Sequence, residues 1–378
     1  MDSNRVFSQP KGRLSGWLLR IGQDIPVDIR RALVASLFGT LPIFVGGVVN
    51  TIVLAVVAAA RQPTAWFIAW LVIELTLGIV RVSVLRYSLR AAAAGRPTPT
   101  DLYMFLALLW AASVGYGAAI SLLSGDWTIA TLACLSTAAM AGGICFRNFG
   151  APRLAAMMML LSMGPIAIAA LFAGEPIFLI ALLQIPFYLY SMSVAATKLN
   201  QMLVTTMLAE RDNERRARHD VLTGLLNRAG LSMAIERDHR LRGGEAGALL
   251  YLDLVGFKQI NDSFGHPAGD MLLKMLAARL TALIDGKGVA ARVGGDEFVL
   301  VARNTDRGQA QALANQVIDA VALPFETQGS VPSLGVTVGI AMSPEHGADL
   351  ETLIARADEA LYRAKLQPGS ATRFATSA

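Results

Sequence analysis

Cysteine and charged residues are scarce in this sequence. The 378 residues include 2 cysteines, and Asp, Glu, Lys and Arg make up 16% of the chain against 54% hydrophobic residues. A soluble domain carries about a quarter charged residues, so a wholly soluble globular protein and a disordered chain are both excluded. Cys134 and Cys145 are eleven positions apart, about 16 Å along a helix, which is too far for a bridge. A disulfide scaffold is therefore excluded as well.

The few charges are unevenly distributed along the chain. Only 11 of them lie between Ala32 and Thr197. That half contains six apolar runs, each about the 20 residues that a helix needs to cross a bilayer, at 32–60, 62–80, 102–125, 127–146, 154–174 and 176–197. The sequence therefore predicts an all-α bundle of six transmembrane helices at 32–197, preceded by a tail at 1–31.

Arginine and lysine are concentrated in the tail and in alternate connections. The second and fourth runs are followed by Arg81, Arg86, Arg90 and Arg96, and by Arg147 and Arg153. Because cytoplasmic loops carry the excess of Lys and Arg, the tail and these connections are predicted to be cytoplasmic. With six spans, the C-terminal half is then cytoplasmic too.

Glu74 and Asn50 are polar residues within the apolar runs. Glu74 lies within the second run, where a carboxyl group costs about 2.5–3.5 kcal/mol on insertion scales. It is either a sensory group or a hydrogen-bonded residue that ties two helices together. Asn50 is interpreted as an interhelical hydrogen-bond partner.

The second half of the sequence has the pattern of one α/β domain. Residues 198–219 change from apolar to charged without Gly or Pro, which predicts a helical signalling linker; a basic connector near lipid headgroups is the alternative. In 220–378, helices are predicted at 228–242, 270–284, 307–321 and 350–365, and strands at 248–254, on both sides of Gly294-Gly295, at 335–341 and at 372–375. This alternation predicts a mixed sheet with helices.

Two acidic clusters stand out in this domain. Asp253 follows a buried strand, and Gly294-Gly295-Asp296-Glu297 joins two β-rich runs. Paired glycines allow positive φ and close approach of a ligand. If the hairpin lies beside the strand, Asp253 and Asp296 converge, and such oxygen ligands suit Mg²⁺ carried in with a nucleotide triphosphate. The alternative is an acidic surface turn.

Four motifs in order resemble the GGDEF-type diguanylate cyclases. They are DVLTGLLNR at 220–228, FKQINDSFGHPAGD at 257–270, GGDEF at 294–298 and ADEALYRAK at 357–365. The resemblance implies a nucleotide-cyclase-like domain with a mixed central sheet, in a membrane protein of the bacterial inner membrane. It also implies that a homodimer condenses two GTP into cyclic di-GMP and two pyrophosphates. The expected partners are downstream cyclic di-GMP receptors, and no nucleic acid is expected to bind.

The resemblance also implies residue roles. Asp253, Asp296 and the Leu254 carbonyl are expected to bind two Mg²⁺ ions, with Mn²⁺ as an alternative ion. Glu297 is expected to accept the proton of the attacking 3′-hydroxyl or to be a further metal ligand. The expected substrate contacts are Asn261 and Asp270 with guanine, and Phe257, Lys258, Arg292, Lys365, Gly294 and Gly295 with the triphosphate.

The chain departs from the family pattern at three places. Val255 replaces an Asp, 285–288 lacks the Arg-x-x-Asp of an inhibitory product site, and LQPGSATRF follows Lys365 instead of a Gly-Arg-Asn turn. Three rival functions remain: a catalytically inactive GTP-binding receptor, a cyclase that uses adenine nucleotides, and a transporter with an appended domain.

Overall fold

The computed structural model describes residues 6–19, 25–39, 41–237, 246–325, 334–366 and 369–376. It separates into two compact units, Met1–Ala209 and Glu210–Ala378. Each unit has hydrophobic clusters of its own.

The described part of the first unit is helical. Its elements are α1 (Arg13–Leu18), α2 (Val27–Ser36), α3 (Leu41–Arg61), α4 (Ala65–Ala93), α5 (Thr100–Leu123), α6 (Trp127–Arg147), α7 (Pro152–Ala170), a short 3-10 helix (Pro176–Ile180) and α8 (Ala181–Arg218). Six helical segments in the described residues have the length and composition to cross a membrane. This agrees with the number of apolar runs.

Two boundaries in this unit differ from the prediction. The first run is not one helix, since α2 ends at Ser36 and α3 begins at Leu41. Pro42 is the second residue of α3, a position in the first turn where the missing backbone N–H of proline costs no intrahelical hydrogen bond. Arg81, Arg86 and Arg90 do not lie in a connection, because α4 continues to Ala93, and the side chain of Arg81 is buried. Arg147 likewise is the last residue of α6 and not part of a connection.

The predicted polar ties between helices are present. Ser113 Oγ of α5 donates a hydrogen bond of 2.7 Å to Glu74 Oε1 of α4. Asn50 Nδ2 of α3 donates to Ser136 Oγ of α6 at 2.6 Å. Glu74 thus joins two helices, as one of its two interpretations requires. The segment after the sixth run is helical to Arg218, as the sequence predicts.

The second unit is built on a five-stranded sheet of order β2-β3-β1-β4-β5. Its strands are β1 (Gly247–Val255), β2 (Gly288–Arg292), β3 (Glu297–Arg303), β4 (Gly335–Ser343) and β5 (Ala371–Phe374). The β4–β5 pair is parallel and the other pairs are antiparallel. The predicted mixed sheet is therefore confirmed.

Helices cover both faces of this sheet. They are α9 (Arg228–Arg237), α10 (Phe257–Phe264), α11 (His266–Ile284), α12 (Arg307–Ala322) and α13 (Leu350–Lys365). Alternate residues of β1 divide the core: Leu250 and Leu252 pack with α11 and α12, whereas Leu249 and Tyr251 pack with α9 and α13.

The helices after β1 differ from the prediction. Residues 257–264 form α10, and α11 begins at His266 rather than at Asp270. Gly256 and Gly265 have φ of 92° and 80°, a conformation that glycine adopts without strain, so the chain ends one helix and starts the next within one residue. The predicted helix at 228–242 is present to Arg237, and residues 238–242 lie outside the described residues.

Candidate active site

The acidic residues of the two clusters meet where β1 ends and β3 begins. Asp253 is the cross-strand partner of Glu297 in the antiparallel ladder. Residues directly opposite each other in such a pair project to the same face. The backbone N–H of Leu254 donates to the Asp296 carbonyl at 3.3 Å. The hairpin therefore lies beside β1, as the prediction required, but the carboxylate opposite Asp253 is that of Glu297 and not that of Asp296.

Glu297 is folded back against the turn that precedes it. A Cβ at position 294 would collide with Glu297 Oε2, whereas a Cβ at Gly295 would meet no atom within 4 Å. Neither glycine has a positive φ, so the backbone freedom that the pair allows is not used in this structure. Gly294 is required for space, because its missing side chain leaves room for the Glu297 carboxylate.

Tyr251 is a neighbour of Glu297 that the sequence analysis missed. Its hydroxyl donates to Glu297 Oε2 at 3.4 Å. Burial, followed by the negative charges of Glu297 and Asp358, raises the pKa of Tyr251 to about 12. The hydroxyl therefore stays protonated and remains a donor at neutral pH. The signal available in the sequence was its position in β1, two residues before Asp253, which places both side chains on one face.

Lys365 contacts one of the carboxylates. Its Nζ lies 2.7 Å from Asp253 Oδ2, with the two side chains 43% and 16% exposed. Lys365 was expected beside the triphosphate, and the structure places it at the end of α13, against Asp253. An ion pair with one exposed partner is worth at most about 1 kcal/mol, so this ammonium group can move to a nearby anion at little cost.

Arg292 holds the glycine turn. Its Nε and Nη2 donate to the Gly295 carbonyl at 3.2 and 2.7 Å, and its Nη1 donates to Asp220 Oδ1 at 3.0 Å. Burial alone raises the pKa of Asp220, but hydrogen bonds from Thr223 and Arg292 outweigh it, so this pKa lies below its ordinary value. Arg292 was expected at the triphosphate, but in the structure its donors are directed to protein acceptors.

The residues expected to read guanine lie on α10 and α11. Asn261 Oδ1 is buried and has no hydrogen-bond partner among the described residues. It lies against Gly269, where a Cβ would collide with it and approach the Phe257 ring within 3.2 Å. An unpartnered buried acceptor costs about 1–3 kcal/mol, and a ligand donor would recover that free energy.

The expected site residues thus form two groups, one at the C-terminal end of β1 and one on the two helices that come after it. Asp253, Glu297 and Lys365 lie on the sheet face covered by α13, whereas Asn261 belongs to the α10–α11 pair. Lys258 and Asp270 are exposed on these helices. In the described residues no hydrogen bond or ion pair joins the two groups.

The donor set fits a magnesium ion. The described residues contain no group of three or more His, Cys, Asp and Glu side chains arranged for a metal. Mg²⁺ is usually held by one or two carboxylates and completed by water and substrate phosphates. Asp253 and Glu297 on adjacent strands supply such carboxylates, and the space at Gly294 accommodates one of them.

Comparison with known proteins covers the second half of the chain. The family described as "Diguanylate cyclase, GGDEF domain" matches residues 217–371. Diguanylate cyclase TpbB of Pseudomonas aeruginosa is 38% identical over 167 residues, which are 42% of this chain and 38% of that protein. Cyclic di-GMP phosphodiesterase PdeR of Escherichia coli is 37% identical over 149 residues, 39% of this chain and 22% of that protein.

A solved structure of truncated TpbB that comprises only the GGDEF domain is also similar. It is 36% identical and covers 42% of this chain and 94% of that one, with a TM-score of 0.38. The chain spans less than two fifths of the length of TpbB and PdeR. Residues 217–371 of this chain are thus a GGDEF domain, and its homologues include diguanylate cyclases.

Proposed function

We propose that this protein is a diguanylate cyclase that condenses two GTP molecules into cyclic di-GMP and two pyrophosphates. The observation that carries the proposal is the pairing of Asp253 with Glu297 across β1 and β3. The room left by Gly294 for the Glu297 carboxylate is part of the same arrangement. The carboxylates occupy a single end of the sheet, beside the basic Lys365.

The side chains have separate tasks in this proposal. Asp253, Asp296, Glu297 and the Leu254 carbonyl would hold Mg²⁺, which when bound neutralises charge on the phosphates and favours ionisation of the 3′-hydroxyl. Glu297 accepts the proton of that hydroxyl. Tyr251 orients the Glu297 carboxylate through its hydrogen bond to Oε2. Lys365 shifts from Asp253 to the triphosphate.

Guanine selection is assigned to α10 and α11. The carboxylate of Asp270 accepts both the ring N–H and the exocyclic amine of guanine, which adenine does not offer together. Asn261 supplies the unpartnered amide oxygen, and Phe257 and Lys258 flank the nucleotide. This assignment favours GTP over an adenine nucleotide.

The remaining parts of the proposal concern assembly and control. Each domain holds one GTP, so the reaction requires a homodimer. The six long apolar helices would form a sensory module in the bacterial inner membrane with both termini cytoplasmic. The part of α8 that follows Thr197 would be the signalling linker.

One observation favours a second function, a GTP-binding receptor without turnover. The Asp253 carboxylate is neutralised by the Lys365 ammonium group at 2.7 Å, so a cation already faces the expected metal ligand. If Lys365 keeps that place when GTP binds, the domain binds nucleotide without activating the hydroxyl. PdeR, a relative whose name denotes a phosphodiesterase, shows that similarity in this region accompanies more than one activity.

The test is product analysis with purified full-length protein in lipid discs. With GTP and Mg²⁺ we expect cyclic di-GMP by HPLC, and Glu297→Gln should lower kcat at least about 100-fold, because general-base groups contribute about 10²–10⁴. Glu351→Gln, at an exposed position at the start of α13, is the matched control and should retain activity. Stoichiometric GTP binding without product would establish the receptor instead.

A further inference from the structure

The first unit contains a cavity of about 250 Å³ lined by two buried arginines. Arg81 of α4 is 4% exposed and Arg147 of α6 is 7% exposed. Apolar and aromatic residues, among them Phe44, Trp110 and Ile144, form much of the remaining lining. Two positive charges in such surroundings require compensation, because burying an unpaired charge costs several kcal/mol.

The guanidinium N–H donors of Arg81 are available to a ligand. Among the described residues its guanidinium forms no hydrogen bond and no ion pair. Its Cζ lies 4.7 Å from the centre of the Phe44 ring and 4.3 Å from that of Trp110, so aromatic rings cover the planar group while its N–H donors lie in its own plane. Glu74, the acid on the same helix, attracts Arg81 electrostatically, but its carboxylate accepts a hydrogen bond from Ser113 and none from the guanidinium among the described residues.

Arg147 supplies a second positive charge, but its guanidinium donors are already used in hydrogen bonds. It donates to the Leu37 carbonyl at 3.1 Å and to the Tyr103 hydroxyl, and its Cζ lies 4.6 Å from the Phe44 ring centre. Arg147 also repels Arg81 electrostatically. A single anionic group bound by Arg81 would relieve that repulsion.

The cavity also has room for an apolar body. Gly46 and Gly143 line it, and a Cβ at either position would meet no atom within 4 Å. We propose that this cavity binds an organic monocarboxylate, with its carboxylate on the in-plane donors of Arg81 and its apolar part between α3 and α6. Arginine forms bidentate hydrogen bonds with carboxylates, and this would give the helical unit a small-molecule ligand independent of the GGDEF domain.

Calorimetric binding to the full-length protein in phosphatidylcholine discs tests the proposal. The probes are benzoate and hexanoate, with benzamide as the uncharged analogue of benzoate. We expect at least one acid to bind, and benzamide to bind at least about tenfold more weakly because a charge-assisted pair is lost. Arg81→Gln and Gly143→Leu should each lower the affinity for the acid at least about tenfold. The first removes the guanidinium donors, and the second fills the cavity.

Matched controls lie on the same helices. Arg86→Gln removes an exposed arginine of α4, and Gly142→Leu adds bulk beside the cavity where a Cβ also meets open space; both should bind as the unaltered protein does. The proposal is overturned if neither acid binds at millimolar concentration, if benzamide binds equally well, or if Gly143→Leu and Gly142→Leu behave alike. Binding that requires phosphatidylglycerol in the discs, or that inorganic phosphate displaces, would also overturn it in favour of a phosphate headgroup.

Discussion

The ion pair between Arg292 and Asp220 gives a quantitative prediction about the GGDEF domain. Arg292 is the last residue of β2 and donates to the Gly295 carbonyl, while Asp220 lies just after the end of α8. Asp220→Asn keeps the shape of the side chain and an oxygen that accepts from Thr223 N–H and Oγ1, at 2.9 and 2.6 Å in the structure. The substitution therefore removes the charge and little else.

The expected loss of stability follows from the geometry. The Nη1–Oδ1 distance is 3.0 Å, and the side chains of Arg292 and Asp220 are 12% and 24% exposed. Hydrogen bonds to charged groups contribute about 1.5–3 kcal/mol, and the partial exposure reduces this to about 1–2 kcal/mol at pH 7. Because about 1 kcal/mol shifts Tm by 2–4 °C in domains of 150–250 residues, Tm should fall by about 2–8 °C.

The effect should depend on pH in one direction. The pKa of Asp220 is depressed in the folded state, so its stabilisation is complete above the unfolded value of about 3.9 and is lost as pH falls through the folded pKa. The difference between the unaltered protein and Asp220→Asn should therefore be constant from pH 7 to 5 and shrink below about pH 4.

Urea unfolding of the fragment Glu210–Ala378 measures these differences. The fragment starts at Glu210 because Asn227 Nδ2 donates to the Arg216 and Ala217 carbonyls, which a shorter fragment would remove or fray. Asp319→Asn, at an exposed position of α12, is the control. A coupling energy near zero between Asp220→Asn and Arg292→Met in a double-mutant cycle, or a difference that persists unchanged at pH 3, would refute the reasoning.

Two further predictions concern the ends of the strands. Gly294→Ala places a Cβ against the Glu297 carboxylate, whereas the Cβ of Gly295→Ala meets open space. Cyclic di-GMP formation measured by HPLC should therefore fall at least about tenfold in Gly294→Ala only, since small misplacements of catalytic groups cost up to about 10²-fold. Equal activities of the two variants would contradict the role given to Gly294. Lys365→Met removes the ion pair with Asp253, but because the lysine is 43% exposed the free energy of unfolding in urea should change by less than about 1 kcal/mol. A larger loss would mean that Lys365 is a structural residue and not one that moves to substrate.

Most of the fold could be predicted because the hydrophobic pattern determines it. The strand at 248–254 and the helix at 350–365 are found within a residue of the predicted bounds, since a buried central strand and an amphipathic helix have distinct periods. The pattern does not reveal breaks that depend on backbone conformation. The start of α10 depends on positive φ at Gly256, and the division between α10 and α11 depends on positive φ at Gly265.

The sequence predicts which acidic residues belong to the site, but not which of them lie opposite each other. The sequence indicates that Asp253 and the Asp296-Glu297 pair meet, but which carboxylate faces Asp253 is set by the register between β1 and β3. Register follows from long-range pairing, which a single sequence does not specify. The partners of Arg292 were missed for the same reason, because Asp220 is 72 residues away in the chain.

The charges at the end of β1 bear on how a triphosphate is bound there. Arg292 donates to Gly295 and Asp220, and Lys365 is paired with Asp253, so in the described residues these two cations already have acceptors. A triphosphate placed beside Asp253 and Glu297 adds negative charge to a site whose carboxylates lie on adjacent strands. Asp253 and Glu297 would hold Mg²⁺, which when bound would offset that repulsion, so the proposed function requires that GTP bind much more weakly in EDTA than with Mg²⁺. Equal affinity in the two conditions would mean that the nucleotide is held away from these carboxylates, as in a receptor.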